Sequence, residues 1–222
     1  MIYARPSGSV PVPGVIILHE VVGRTRDMLR ILGCFLDKGY AAAIPDLYSG
    51  RLRPWCMTRT LVDALMGSGE HTQGRVARVR GWFEDELGAE RPAPVGIIGF
   101  CMGGGFALMA AARDDHYRAA SVNYGAVPRS PVKLQGICPV VASYGGRDRW
   151  YGPQGERLRE LLRELPVASD VVVYDGVGHS FMNNPGRPRW LPSFPGLHAG
   201  YDEPAAQDAW RRIFAFFDHH LR

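Results

Sequence analysis

Cys101, His179 and Asp148 are the residues whose types and spacing could do covalent chemistry. Cys101 lies in Val95-Gly-Ile-Ile-Gly-Phe-Cys101-Met-Gly-Gly-Gly105, followed by the apolar run Phe106 to Ala112. Val95 to Ile98 reads as a buried strand, so the stretch is a strand, a sharp turn and a helix. Gly99-x-Cys101-x-Gly103 has the spacing of a nucleophile elbow, with cysteine in place of serine. The flanking glycines are needed because so tight a turn leaves no room for Cβ atoms. The turn sets the thiol at a helix N-terminus, where the dipole favours a thiolate and backbone N–H groups can receive an oxyanion. A glycine-rich crossover around an inert cysteine would show the same pentapeptide, so the weight falls on the partners. A thiol with an ordinary pKa of ~8.5 is mostly protonated at neutral pH and needs a base. His179, between Gly178 and Ser180, is the candidate, and Asp148, after Gly145-Gly146, is the candidate to orient it.

Those residues need a scaffold, and the hydrophobic pattern supplies one. Val15 to Leu18, Ala41 to Ile44, Val95 to Ile98, Ala119 to Val122, Pro139 to Tyr144 and Asp170 to Tyr174 read as strands. Helical patterns cover Asp27 to Lys38, Gln73 to Leu87, the run after Cys101, Gln154 to Leu165 and Asp202 to Leu221. Arg51 to Thr72 has weak periodicity and several glycines, and reads as a loop with a short helix. Asn184 to Tyr201, rich in proline, reads as a long loop. Strands alternate with helices nearly throughout, which implies an α/β fold, a mostly parallel sheet with helices on both faces, as one domain over residues 1–222. Ligands of such sheets bind beyond the C-terminal strand ends. Glu20, Cys101, Asp148 and His179 each follow a strand and so are expected on one edge. The order nucleophile, acid, base is that of α/β-hydrolases. His19, beside Glu20, points away from the site if the segment stays extended.

Composition excludes other classes. The chain has 222 residues, 46% of them apolar, a net charge of +4 and four cysteines. No apolar run approaches the ~20 residues of a membrane span, and the N-terminal stretch lacks a secretory apolar segment, which points to the cytoplasm. The arginines are scattered. The densest group, Arg75, Arg78 and Arg80, shares its segment with Glu84, Asp85 and Glu86, as on a solvated helix face rather than a nucleic-acid patch. Cys34, Cys56, Cys101 and Cys138 have no metal-type spacing. No Gly-Lys-Ser/Thr follows Gly105, and no G-x-G-x-x-G follows a strand, so neither a metal nor a cofactor is expected.

Taken together, Leu18-His-Glu20-Val-Val-Gly23, Gly39-Tyr-Ala with Ile44-Pro-Asp-Leu-Tyr48, Gly99-Phe-Cys101-Met-Gly-Gly104, Tyr144-Gly-Gly-Arg-Asp148 and Gly178-His179-Ser-Phe181 resemble the dienelactone hydrolase family. The resemblance runs over most of the chain. It implies an α/β-hydrolase fold with Cys101 as nucleophile, His179 as base and Asp148 orienting it. It also implies an oxyanion hole from the N–H groups of Met102 and Val21, and a glutamate, Glu20, that takes part in activating the thiol. Phe181 and Asn183 are expected to meet substrate. Family members that open the dienelactone ring use an arginine four residues after the histidine, and here that position is Asn183. The implied activity is hydrolysis of a small ester or lactone through a cysteine thioester. The rivals are a general esterase or thioesterase for a neutral apolar substrate, with Trp190, Phe194 and Leu197 as a wall, and a binding protein that keeps the fold without turnover. A redox-sensing Cys101 would need a resolving cysteine nearby, and none is placed near it in sequence.

Overall fold

The computed structural model describes residues 1–7, 12–48, 53–66, 70–87, 93–184 and 195–222. Seven strands form one sheet in the order β1-β3-β2-β4-β5-β6-β7. They are β1 (Ile2–Ala4), β2 (Gly14–Leu18), β3 (Ala41–Ile44), β4 (Val95–Phe100), β5 (Tyr117–Asn123), β6 (Val140–Gly145) and β7 (Ser169–Tyr174). Every pairing is parallel except β1 with β3. Every residue of β2, β3, β4 and β6 is buried, which is why these segments read as unbroken apolar runs rather than as alternation.

The helices are α1 (Arg26–Asp37), α2 (Arg53–Met66), α3 (Glu70–Leu87), α4 (Met102–Arg113), α5 (Gly152–Arg163) and α6 (Glu203–Leu221). The sheet register places them on two faces. Gly14 and Val95 are partners and point one way, while Val15 and Gly96 point the other. A Cβ on Gly14 would meet Phe83 and Leu87 of α3, and one on Gly96 would meet Phe217 and Leu221 of α6. Helix α1 shares the α6 side, where Phe35 makes edge contacts with Trp210 and Phe214 at 6.0 and 5.3 Å.

The local signals behind these elements are legible. Thr25 caps α1 by accepting from the Met28 N–H, and Gly39 ends it at φ +80°, a conformation that costs glycine little. Asp202 caps α6 by accepting from the Ala205 N–H. Two elements differ from expectation. The edge strand β1 is additional, and the stretch read as a loop with a short helix holds the 14-residue helix α2. Among the described residues, no helix is long and apolar enough to cross a membrane.

One buried charge locks α6 to the sheet. Arg212 donates to the carbonyls of Ala142 (3.3 Å) and Asp170 (2.9 Å), to Ser143 Oγ (3.2 Å) and to the Asp170 carboxylate (2.7 Å). It is 8% exposed. Arg212→Met keeps the apolar stem but leaves these acceptors without their donor. The expected loss is about 2–3 kcal/mol, discounted for the half-exposed Asp170 carboxylate. Urea unfolding measures it, and an unchanged midpoint would show that water replaces the guanidinium.

Candidate active site

The elbow after β4 has the geometry that its glycines demand. Cys101 sits at φ +52° and ψ −118°, outside the regions open to most L-residues, and is the residue before α4. A Cβ on Gly99 would lie 2.0 Å from the Gly103 carbonyl oxygen, and one on Gly103 would lie 2.4 Å from that of Leu18. The strained turn is fixed by the Cys101 N–H, which donates to the Asn123 carbonyl at 3.0 Å, and by the Gly104 N–H, which donates back to the Cys101 carbonyl at 2.9 Å. The thiol is half-buried. Met102 is the first residue of α4, so its N–H belongs to the turn whose donors have no acceptor within the helix.

Asp148 and His179 come from the loops after β6 and β7. His179 Nδ1 lies 2.6 Å from Asp148 Oδ2, with Asp148 fully buried and His179 4% exposed. The other carboxylate oxygen accepts from the N–H groups of Trp150 (3.0 Å) and Tyr151 (3.1 Å) at the start of α5. Asp148 is thereby held as an acceptor, and Nδ1 of the ring must donate to it. Burial pushes the His179 pKa down, but hydrogen bonds to Asp148 and Cys101, and the charges of both, outweigh it and raise the pKa to about 9. The rings of Tyr124 and Tyr151 flank the imidazole at 5.1 and 4.8 Å.

The tail of the proline-rich segment is tied to the same two loops. The Arg149 N–H donates to Gly196 and the Trp150 indole N–H donates to Pro195, at 2.9 and 3.1 Å. The His179 N–H donates to Leu197 and its carbonyl accepts from Gly200, at 2.9 and 3.0 Å. A Cβ on Gly178 would fall 1.8 Å from the His198 carbonyl oxygen, so glycine is required for this approach. Trp190 and Phe194, offered above as an apolar wall, lie outside the described residues. Leu197 is half-buried, and its backbone is what meets His179.

Glu20, after β2, is 6% exposed and accepts a hydrogen bond from Ser180 Oγ at 2.7 Å. Arg24 pairs instead with Asp46 at 2.9 Å. Ser180 was not picked out by the sequence reading, although its position directly after the histidine was a usable signal. It sits at φ +56°, which turns its hydroxyl to the carboxylate. Tyr124 was also missed. It is fully buried, its phenol is held protonated by burial and then by the nearby charges of Glu20 and Cys101, and its hydroxyl donates to Asn183 Oδ1.

Two residues expected to meet substrate have partners within the protein. Phe181 is fully buried, with the Tyr124 and Tyr174 rings at 5.6 and 5.2 Å, so it supports the histidine loop from below. Asn183 is 8% exposed, and both ends of its amide are taken. The oxygen accepts from Tyr124, and Nδ2 donates to Asp27 Oδ2 at 2.8 Å. Asp27 is held in turn by Arg30 at 2.6 Å, and Arg30 also donates to the Met182 carbonyl at 3.3 Å. Asn183 therefore ties the histidine loop to the first turn of α1. Away from the site, burial pushes the Cys138 thiol up to about 12, in line with a packing residue.

Glu20, Cys101, Asp148 and His179 thus follow the C-terminal ends of β2, β4, β6 and β7, as the alternating pattern required. Comparison with known proteins gives the family. The model of the dienelactone hydrolase family matches residues 1–221. A Salmonella typhimurium protein provisionally named carboxymethylenebutenolidase is 31% identical, over 97% of this chain and 80% of its own. The carboxymethylenebutenolidase of Rhodococcus opacus is 27% identical, over 93% of this chain and 81% of its own. The crystal structure of a dienelactone hydrolase from Anabaena variabilis shares the fold, with a TM-score of 0.73 at 19% identity over 99% of this chain and 91% of that one. With its elbow, its strand order and a family match over nearly its whole length, the chain belongs to the dienelactone hydrolase family and has the α/β-hydrolase fold.

Proposed function

We propose that this chain hydrolyses a small carboxylic ester or lactone through a thioester on Cys101. The observation that carries the reading is the buried His179–Asp148 pair, at 2.6 Å, with the elbow cysteine among the groups that raise the pKa of the imidazole. Asp148 can only accept, so it fixes the tautomer of His179 and leaves the far ring nitrogen for the thiol. The proton between Cys101 and His179 stays on the ring as sulfur attacks the substrate carbonyl. The N–H groups of Val21 and Met102 receive the oxyanion. The tetrahedral intermediate collapses, the C–O bond breaks, and the imidazolium gives its proton to the leaving oxygen. Water, deprotonated by the same ring, then attacks the thioester and releases the carboxylic acid and the free thiol. A reducing cytoplasm suits such a thiol, and the four cysteines are unpaired.

The favoured substrate is neutral. Position 183 carries an amide rather than a guanidinium, and that amide is committed to Tyr124 and Asp27. It cannot form the bidentate ion pair by which arginine holds a carboxylate. Turnover of neutral aryl esters and lactones is therefore expected to exceed that of a lactone bearing a carboxylate. Faster cleavage of the anionic lactone would overturn this preference.

Glu20 is assigned a part in controlling the thiol. The phenol of Tyr124 feels the charges of both Glu20 and Cys101, so the two share one small region of the site. A carboxylate there opposes the thiolate, while the His179 imidazolium favours it. Glu20→Gln should speed alkylation of Cys101 by iodoacetamide a few-fold at neutral pH and lower ester turnover by roughly tenfold. Unchanged alkylation with unchanged turnover would make Glu20 a structural acceptor for Ser180 and nothing more.

A further inference from the structure

His19 is a buried titratable group to which the mechanism above gives no task. Its ring is fully buried between β2 and the residues after β3, with the Tyr48 ring at 5.0 Å. The Leu47 N–H donates to His19 Nε2 at 3.1 Å, so that nitrogen is an acceptor. The proton of the neutral ring must then be on Nδ1, which lies 2.7 Å from the Glu20 carbonyl oxygen and donates to it. Burial favours this neutral form, pushing the His19 pKa down. The bond reaches one particular peptide, Glu20–Val21, whose N–H belongs to Val21. This peptide is trans, so its N–H points directly away from the Glu20 carbonyl. Fixing the carbonyl fixes the N–H.

The rest of the turn is held in the same manner. The Gly23 N–H donates to the same Glu20 carbonyl at 2.9 Å, closing a turn over residues 20–23. The Tyr48 hydroxyl donates to the next carbonyl, that of Val21, at 2.6 Å. The same hydroxyl oxygen lies 3.8 Å from the Met102 sulfur. The Val21 side chain is 42% exposed and has few packing partners to hold the turn. Orientation of the peptide therefore rests on its carbonyls, and one of the two clamps on the Glu20 carbonyl is a side chain whose tautomer is set 28 residues away.

We propose that His19 is a positioning residue for the reaction, holding the Glu20–Val21 peptide so that the Val21 N–H faces the developing oxyanion. This rests on the reading of Cys101 as nucleophile given above. Histidine suits the task because a neutral imidazole offers one donor and one acceptor on a rigid ring. Leu47 takes the acceptor, so the donor has one place to go. A misaligned donor stabilises the oxyanion less without weakening binding of the planar substrate, so kcat is the parameter that should fall.

Two substitutions divide the ring's bonds between them. In His19→Asn the amide nitrogen stands where Nδ1 stood and can still donate to the Glu20 carbonyl, while the acceptor for Leu47 is lost. In His19→Gln the amide oxygen can still accept from Leu47, while the donor to Glu20 is lost. The expected result is a kcat loss of about 10- to 100-fold for His19→Gln with KM changed by no more than about threefold, and a kcat for His19→Asn within about fivefold of wild type. Alkylation of Cys101 by iodoacetamide, which forms no oxyanion, should be unchanged in both. Inhibition by an aldehyde, which adds to the thiol and leaves an oxyanion in the same place, should weaken in His19→Gln by the factor lost from kcat. Equal kcat values for the two variants, or a His19→Gln enzyme with wild-type kcat, would overturn the assignment. Thermal melts report whether both are folded. Should either fail to fold, Tyr48→Phe, which frees the neighbouring Val21 carbonyl, must lower kcat with KM preserved, and a wild-type kcat there would equally overturn it. A wild-type protein that neither turns over esters nor binds the aldehyde would instead overturn the role of Cys101.

Discussion

Cys101→Ala is expected to lower ester turnover by about 10⁴-fold or more, the loss seen when the nucleophile of a catalytic triad is removed. The elbow gives this prediction its force. Cys101 sits at the C-terminal end of β4, at φ +52°, and the backbone around it approaches so closely that Gly99 and Gly103 admit no side chain. No other cysteine is placed in this way. Cys138 is half-buried, with its thiol pushed up to about 12 by burial, and Cys34 lies within α1. The substitution removes one sulfur atom from a half-buried position and leaves the backbone conformation available to the new residue, since both types carry a Cβ. Stability should therefore change by no more than about 1 kcal/mol. Hydrolysis of an activated aryl ester by the purified variant, with a melt to show that it is folded, checks both halves of the prediction. Activity near wild type would refute the nucleophile.

His179→Ala should cost about 10³- to 10⁴-fold in turnover, because one ring serves as base for the attack and acid for the leaving group. Losses within such a unit do not add, so the Cys101→Ala, His179→Ala double variant should be no slower than the slower single variant. The same residue makes a thermodynamic prediction of definite sign. Its pKa in the folded protein is raised to about 9, through the bonds to Asp148 and Cys101 that overcome burial. The folded state thus binds a proton more tightly than the unfolded chain does. The resulting stabilisation is fully present below about pH 6.5 and is lost as the pH rises through about 9. The melting temperature of wild type minus that of His179→Ala should therefore shrink between those limits. A difference that grows with pH would mean that the ring is held neutral. Asp148→Asn should keep the fold and slow turnover, because an amide can meet the ring with a donor or an acceptor and no longer dictates the tautomer.

The parts that could be read from sequence are those with local causes. Continuous apolar runs such as Val15-Ile-Ile-Leu18 announce strands buried on both faces, and the spacing Gly99-x-Cys101-x-Gly103 announces a turn that only glycine permits. Strand alternation then placed Glu20, Cys101, Asp148 and His179 on one edge with no contact known. What escaped has causes distant in sequence. The strand β1 is three residues, Ile2–Ala4, recognisable only through its pairing with β3. Helix α2 has a diffuse apolar face, with Trp55 and Val62 exposed and Thr60 turned inward to the Leu47 carbonyl, so its period was faint. Asn183 and Phe181 were expected at the substrate because they follow His179. Their partners in the structure, Tyr124, Asp27 and Tyr174, are brought to them by the fold. His19 is the sharpest case. Its bond to the adjacent carbonyl is where it acts, and that follows only once Leu47 is seen to occupy its other nitrogen.

The central claim is a covalent acyl-enzyme on Cys101, and acid quenching within the first turnover of an activated neutral ester tests it most directly. Mass spectrometry of the digested protein should find the acyl group on the peptide that contains Cys101, removable by hydroxylamine, absent from Cys101→Ala and slow to decay in His179→Ala. An acyl group on any other residue, or rapid turnover with no acylated Cys101 at any quench time, would contradict the account.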